Sequence, residues 1–358
     1  MNEMTGNVTT LQSRVIDWLR FPLAAAVVLL HASESTTGNY GTDFYGILSL
    51  ILSQGICRIA VPCFFFFSGF LFFSNLDSWN IQVWVDKIKK RFFSLFVPYI
   101  IWNVIALLAV FGYGWLRARF NPDVATSSFI GTLNANGWLD MFWSSNFGCP
   151  IDYPLWFIRD LIVFVLLTPL IHFIVKRTGL WGVVVSFVLC ALTESRDFEG
   201  LFFFMFGAYF RLYGIDFIEV FRKSRFPSYI CCLVGIIIIA CSYGRYPQLY
   251  WYTKYLFVFF GTVSIISLVS ASLKGNDKMP NRFLASSAFF IYASHAILIL
   301  HDISHYVVLH LMPFTNQTGM VLALFMKSIL ALSICLGLYA TLKRFTPELL
   351  SVLTGGRG

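Results

Sequence analysis

The stretch that most limits what this chain can become is RVIDWLRFPLAAAVVLLH, from Arg14 to His31. It has the length and apolar content of a transmembrane helix, with its ends about 25 Å apart at the helical rise. Yet it carries Arg14, Asp17, Arg20 and His31. Charged groups in hydrocarbon are costly unless they face protein, partners or a water-filled cavity, so they are functional by default. Arg20 and His31 are 11 residues apart, close to three turns, and so share nearly one face about 16 Å apart along the axis. Asp17 is three residues from each of Arg14 and Arg20 and can pair with both. Pro22 lies just beyond this cluster, where a kink is expected. An anchor helix with a basic end accounts for Arg14 and, by snorkelling, for Arg20. It does not account for a histidine on the same face three turns away.

The rest of the chain supports a membrane setting. Of 358 residues, 58% are hydrophobic and only 12% charged, against about 25% charged in soluble domains. Repeated apolar segments of helical length point to an all-α polytopic membrane protein rather than a barrel. Residues 1–358 read as one transmembrane domain with no fused soluble domain, repeat or low-complexity tract. A cleaved signal peptide is not expected: the first 13 residues carry no Lys or Arg, and the first apolar stretch is interrupted by Asp17, Arg20 and Pro22. The net charge of +8 would suggest nucleic acid in a soluble protein, but here alternate loops hold the excess. None of the eight cysteines forms a C-x-x-C pair, and neither a disulfide nor a cysteine metal site is expected.

Ten helices are expected. After the first come Gly46 to Phe73, Phe92 to Phe111, Leu155 to Val175, Leu180 to Thr193 and Gly200 to Tyr213. Tyr229 to Tyr243, Tyr255 to Leu273, a ninth from Phe283 past His305, and Met320 to Leu342 follow. The longest loop, residues 112–154, is expected outside. With both termini cytoplasmic, seventeen of the 26 Lys and Arg fall on the inner side, five on the outer side and four within helices. That bias sets the orientation. Segments five to seven are short for a span and are read as tilted, or one pair as re-entrant.

Several motifs stand in order along these helices. The first is I-D-x-L-R followed by ten residues and His: Ile16, Asp17, Leu19, Arg20 and His31. The second is RIAVPCFFFFSGFL, with Arg58, Pro62, Ser68 and Gly69. KKRFFSLFVPYIIWN runs from Lys89 to Asn103, LWFIRDL holds Trp156, Arg159 and Asp160, and SSAFFIYASH holds Tyr292 and His295. Together they resemble the acyltransferase 3 family of integral membrane O-acyltransferases over nearly the whole chain. The arginine–ten–histidine spacing is the most specific part of that resemblance. Two departures are visible: Trp18 stands where many relatives have Gly, and Lys89-Lys90-Arg91 where two arginines are common.

The resemblance implies transfer of an acyl group, usually acetyl from cytoplasmic acetyl-CoA, to a hydroxyl of a surface or secreted glycan or related acceptor at the cell membrane. It makes the histidine of the first motif essential and links the basic motif before the third helix to the donor. The residues fit this chemistry. Acyl transfer to a hydroxyl needs a base, and a neutral histidine suits that role near neutral pH; His31 is either that base or the nucleophile that takes the acyl group. The donor's phosphates need cations, which Arg14, Arg20, Lys89, Lys90 and Arg91 supply near the inner mouth. Acetyl-CoA is then a substrate, and no permanently bound cofactor or metal is expected. Arg58, Arg159 and Asp160 are buried polar support together with Asp17 and Tyr292. Since side chains one residue apart on a helix diverge, Arg159 and Asp160 are expected to find partners on other helices.

Other polar residues are read more plainly. His295 is either a second catalytic histidine or a structural hydrogen-bonding group. His301, Asp302 and His305 have metal-ligand spacing but read as polar residues at an outer helix end, and His172 as an interfacial residue. The run Phe64 to Phe67 is packing, and Ser68-Gly69 permits close helix approach. A glycan exporter is the alternative from another class, since a buried charge track serves transport as well; a titratable base at a set spacing favours the enzyme.

Overall fold

In a computed structural model, the residues described are 10–33, 43–74, 79–120, 135–144, 148–275, 278–311 and 316–357. Residues 121–134 and 145–147 of the long loop expected outside therefore lie outside them. Among the described residues every regular element is helical. In chain order these are α1 (Thr10–Ser33), α2 (Phe44–Phe72), α3 (81–120) and α4 (Ala135–Trp143). Next come α5 (Tyr153–Leu166), α6 (Thr168–Thr178), α7 (Leu180–Thr193), α8 (Arg196–Leu212) and α9 (Phe217–Lys223). The chain continues with α10 (Arg225–Ser242), α11 (Pro247–Leu273), α12 (Arg282–Ser294), α13 (Ile299–Leu311), α14 (Gln317–Phe345) and α15 (Pro347–Thr354).

Six of these helices are long and apolar enough to cross a membrane, and up to nine spans result if each bent pair is one. The pairs are α5–α6 at 67°, α8–α9 at 111° and α12–α13 at 85°. With the 14-residue α7, each of the ten expected segments corresponds to a helix or a bent pair. Widely exposed Leu233 and Ile237 on α10 and Ile329 and Leu338 on α14 would be a liability in water and are suited to lipid. The chain is a polytopic, all-α membrane protein.

Two segments differ from expectation. The third helix runs on to Phe120, because Trp115-Leu116-Arg117-Ala118 are competent helix formers that no proline interrupts. α1 is the single helix expected, with Pro22 inside it. The ninth segment breaks immediately after His295: Leu298 takes a left-handed conformation at φ 58°. His295 explains where the break falls. Its Nδ1 lies 3.1 Å from the Ile291 carbonyl and 2.9 Å from that of Tyr292, so the ring competes for acceptors a continuing helix would use.

α1 lies at the centre, touching α2, α11, α12 and α14. The most extensive helix pair is α2 with α8. At Gly69 a Cβ would stand 2.0 Å from the Phe204 carbonyl oxygen, and at Gly207 it would stand 2.0 Å from that of Phe66. The two backbones meet because both positions lack a side chain, the small-residue approach typical of membrane helices. Phe66, Phe210, Phe217 and Phe221 interlock around this contact with ring centroids 5.3–6.3 Å apart, within the favourable aromatic range.

Candidate active site

Two cavities flank the central helix. The larger, of about 200 Å³, is lined by Arg20, Arg91 and Arg357 among aromatic and aliphatic side chains. The smaller, of about 60 Å³, is lined by His31, Arg58, Arg196, Glu199 and Lys254, with Pro154 and Trp156. Tyr292 lines both. Its hydroxyl donates to the Pro154 carbonyl, which fixes the ring as a shared wall. The three-turn spacing of α1 thus puts its arginine in one cavity and its histidine in the other.

His31 is set among rings. Tyr153 meets it edge-on with centroids 4.8 Å apart, and His295 stacks on it at 5.5 Å and 22°. Tyr153 is itself within hydrogen-bond distance of His301, 3.0 Å from its Nε2, so the helix-end reading of His301 omitted a link toward His31. His295 is fully buried. Both neighbours of its Nδ1 are carbonyl oxygens, so that nitrogen carries the proton. Its Nε2 is then an acceptor, and it meets no hydrogen-bond partner among the described residues.

Each of the supporting charges has at least one partner close in sequence. Asp17 pairs with Arg20 at 3.1 Å. Arg58 donates from Nε to the Ser53 carbonyl at 2.8 Å and from Nη2 to Gln54 Oε1 at 3.2 Å, and Gln54 Oε1 also accepts from Tyr250 at 2.8 Å. Arg159 has the expected partner on another helix, since its Nη2 lies 3.8 Å from Asp197 Oδ1 of α8, but it also meets its own neighbour, 2.8 Å from Asp160 Oδ1. Divergence along a helix holds for side-chain bases, and a long guanidinium curls back far enough to meet its neighbour. Its Nη1 donates to the carbonyls of Trp143 at 2.7 Å and Gly148 at 2.8 Å. The pair therefore pins the chain after α4 and lines neither cavity.

The basic motif is divided. Only Arg91 of Lys89-Lys90-Arg91 lines the larger cavity; Lys89 and Lys90 are exposed. Lys87 donates to the Ser74 carbonyl at 3.1 Å and also to that of Phe72. Arg14 donates to the Lys278 carbonyl at 2.8 Å. Part of the phenylalanine run lines the cavity as well: Phe64 and Phe67 face it, while Phe66 is packing.

Sequence reading missed Glu199, Lys254 and Arg196 of the smaller cavity and Arg357 of the larger. Lys254 Nζ lies 3.3 Å from Glu199 Oε2, with the lysine side chain 7% exposed. It also sits over the rings of Trp251 and Tyr255 at 4.7 and 4.9 Å. A lone lysine inside a 27-residue apolar helix was the available signal. Among the described residues no group of three or more His, Cys, Asp or Glu side chains is placed to hold a metal ion.

Residues 14–340 match the family model described as an acyltransferase domain. The chain is also similar to the succinoglycan biosynthesis protein ExoH of Rhizobium meliloti (strain 1021). That match is 26% identical over 373 residues and covers 96% of this chain and 92% of that protein. No solved structure matches the chain significantly.

Proposed function

The chain belongs to the acyltransferase domain family and is an acyltransferase, and from that premise we propose that it moves an acyl group from an acyl-CoA to a hydroxyl of a polysaccharide or related glycan. The observation that carries the reading is the pair of cavities divided by Tyr292, one holding Arg20 and the other His31. Guanidinium groups suit the phosphates of coenzyme A, and the apolar lining suits a pantetheine arm and short acyl chain. Acetyl-CoA is the proposed donor, and the likeness to ExoH, a succinoglycan biosynthesis protein, supports a polysaccharide acceptor. With the termini cytoplasmic, the arginine cavity faces the cytoplasm and His31 the opposite side of the cell membrane.

In this reading His31 takes the proton of the acceptor hydroxyl. The oxygen attacks the thioester carbonyl, the C–S bond breaks, and the proton passes to the leaving thiolate. If His31 is instead the nucleophile, an acyl-histidine forms first and the hydroxyl displaces it. His295 is a positioning residue that holds one face of the imidazole.

The test offers labelled acetyl-CoA and succinyl-CoA, with the host's glycans, to the purified protein in nanodiscs. Glycan-dependent label transfer is expected. Glycan translocation by a His31→Ala protein, with no transfer by wild type, would overturn the reading in favour of an exporter. Ser224→Cys should label only from the cytoplasmic side, and labelling only from the other side refutes the orientation.

A further inference from the structure

Arg357 enters the larger cavity from a direction that no motif indicated. After α14 the chain turns at Thr346 and Pro347 opens α15, where a proline is well placed at a helix start. α15 packs back on α3 and α12. Trp102 Nε1 donates to the Leu353 carbonyl at 2.9 Å, and Leu350, Leu353 and Thr354 are buried. Gly355 then turns the chain at φ 62°, so close to α3 that a Cβ would stand 2.3 Å from the Ser94 carbonyl oxygen. Two residues later the Arg357 guanidinium lies over the Phe289 ring, 4.7 Å from its centroid, and lines the cavity with Arg20 and Arg91.

The charge balance of this cavity is one-sided. Its lining contains three arginines and neither Asp nor Glu. Arg20 has Asp17 beside it, but among the described residues no carboxylate pairs with Arg91 or Arg357. Burial, and then the positive charges of Arg91 and Arg20, hold the Arg357 guanidinium below its ordinary value. Three converging guanidinium groups in a half-enclosed apolar site repel one another until a multiply charged anion enters.

We propose that Arg20, Arg91 and Arg357 form one polyphosphate clamp for coenzyme A, with α15 as the strut that delivers the third arginine. This rests on the reading of the larger cavity as the donor site. Coenzyme A presents a diphosphate and a further phosphate, the multiply anionic, oxygen-rich surface that arginines bind in bidentate fashion. α15 is then part of the binding site, and its packing on α3 ties donor affinity to the segment that carries Arg91.

The experiment measures binding of coenzyme A and of pantetheine, which has no phosphate, to the full chain in nanodiscs over a salt series. Arg357→Gln should weaken coenzyme A at least about tenfold, collapse its advantage over pantetheine and flatten the salt dependence. Arg357→Lys should recover part of the affinity. Gly355→Val should reproduce the loss without removing a charge, because its side chain displaces the segment. If Arg357→Gln binds coenzyme A as wild type does while Arg20→Gln loses it, the third arginine is refuted and the donor site stands. If Arg357→Gln weakens pantetheine equally, the residue acts on shape and the clamp is refuted. If wild type shows no affinity for coenzyme A, the donor reading fails and takes the clamp with it.

Discussion

Replacing His31 with Ala should separate chemistry from donor binding. Loss of a positioned general base costs about 10² to 10⁴ in rate, or about 3 to 5 kcal/mol of barrier, and loss of a covalent nucleophile costs more. The donor site should scarcely respond. His31 lies eleven residues from Arg20 on the same helix, about 16 Å along its axis, and lines the other cavity. Even a full unit charge at His31 would be felt at Arg20 with only about 1 kcal/mol at an effective dielectric of about 20. That is at most about sixfold in Kd, and a neutral ring would contribute less. The assay measures coenzyme A affinity and single-turnover acyl transfer on the same nanodisc preparation. Transfer at near wild-type rate would remove His31 from the chemistry, and a loss of donor affinity beyond tenfold would refute the separation of the two cavities.

Three further outcomes follow from the packing. Gly207→Ala drives a Cβ against the Phe66 carbonyl and should cost about 1–3 kcal/mol, read as a lowered unfolding midpoint in detergent; Gly337→Ala, with open space around it, is the neutral control, and equal midpoints would refute the backbone contact. Lys254→Met leaves Glu199 uncompensated and should destabilise by about 3–5 kcal/mol, with Glu199→Gln in the same chain recovering most of it; no recovery would show that packing, not charge, was lost. Asp152, preceding α5, is buried with no hydrogen-bond partner for either carboxylate oxygen among the described residues, and burial pushes its carboxyl well above the usual range. Its contribution is therefore fully present below the unfolded value of about 3.9 and lost as pH rises through the higher folded value. The midpoint of wild type should fall relative to Asp152→Asn over that rise, and a constant offset would contradict it.

The sequence by itself determined the all-α membrane class, the apolar segments and the Arg20–His31 register, because hydrophobic length and helical period are local properties that lipid enforces. It also marked Gly69 as a site of close approach. It did not determine which cations meet. Lys89, Lys90 and Arg91 are consecutive, yet a helix splays neighbours about 100° apart, and only Arg91 reaches the cavity. Arg159 and Asp160 paired where helical geometry argued against it, since the reach of a guanidinium is a matter of rotamer. Glu199 and Lys254 are 55 residues apart, and α15 folds back to bring Arg357 to Arg20 and Arg91 across most of the chain. Such contacts depend on which helix faces pack together, and for Arg357 the packing of α15 back on α3 and α12 decided it.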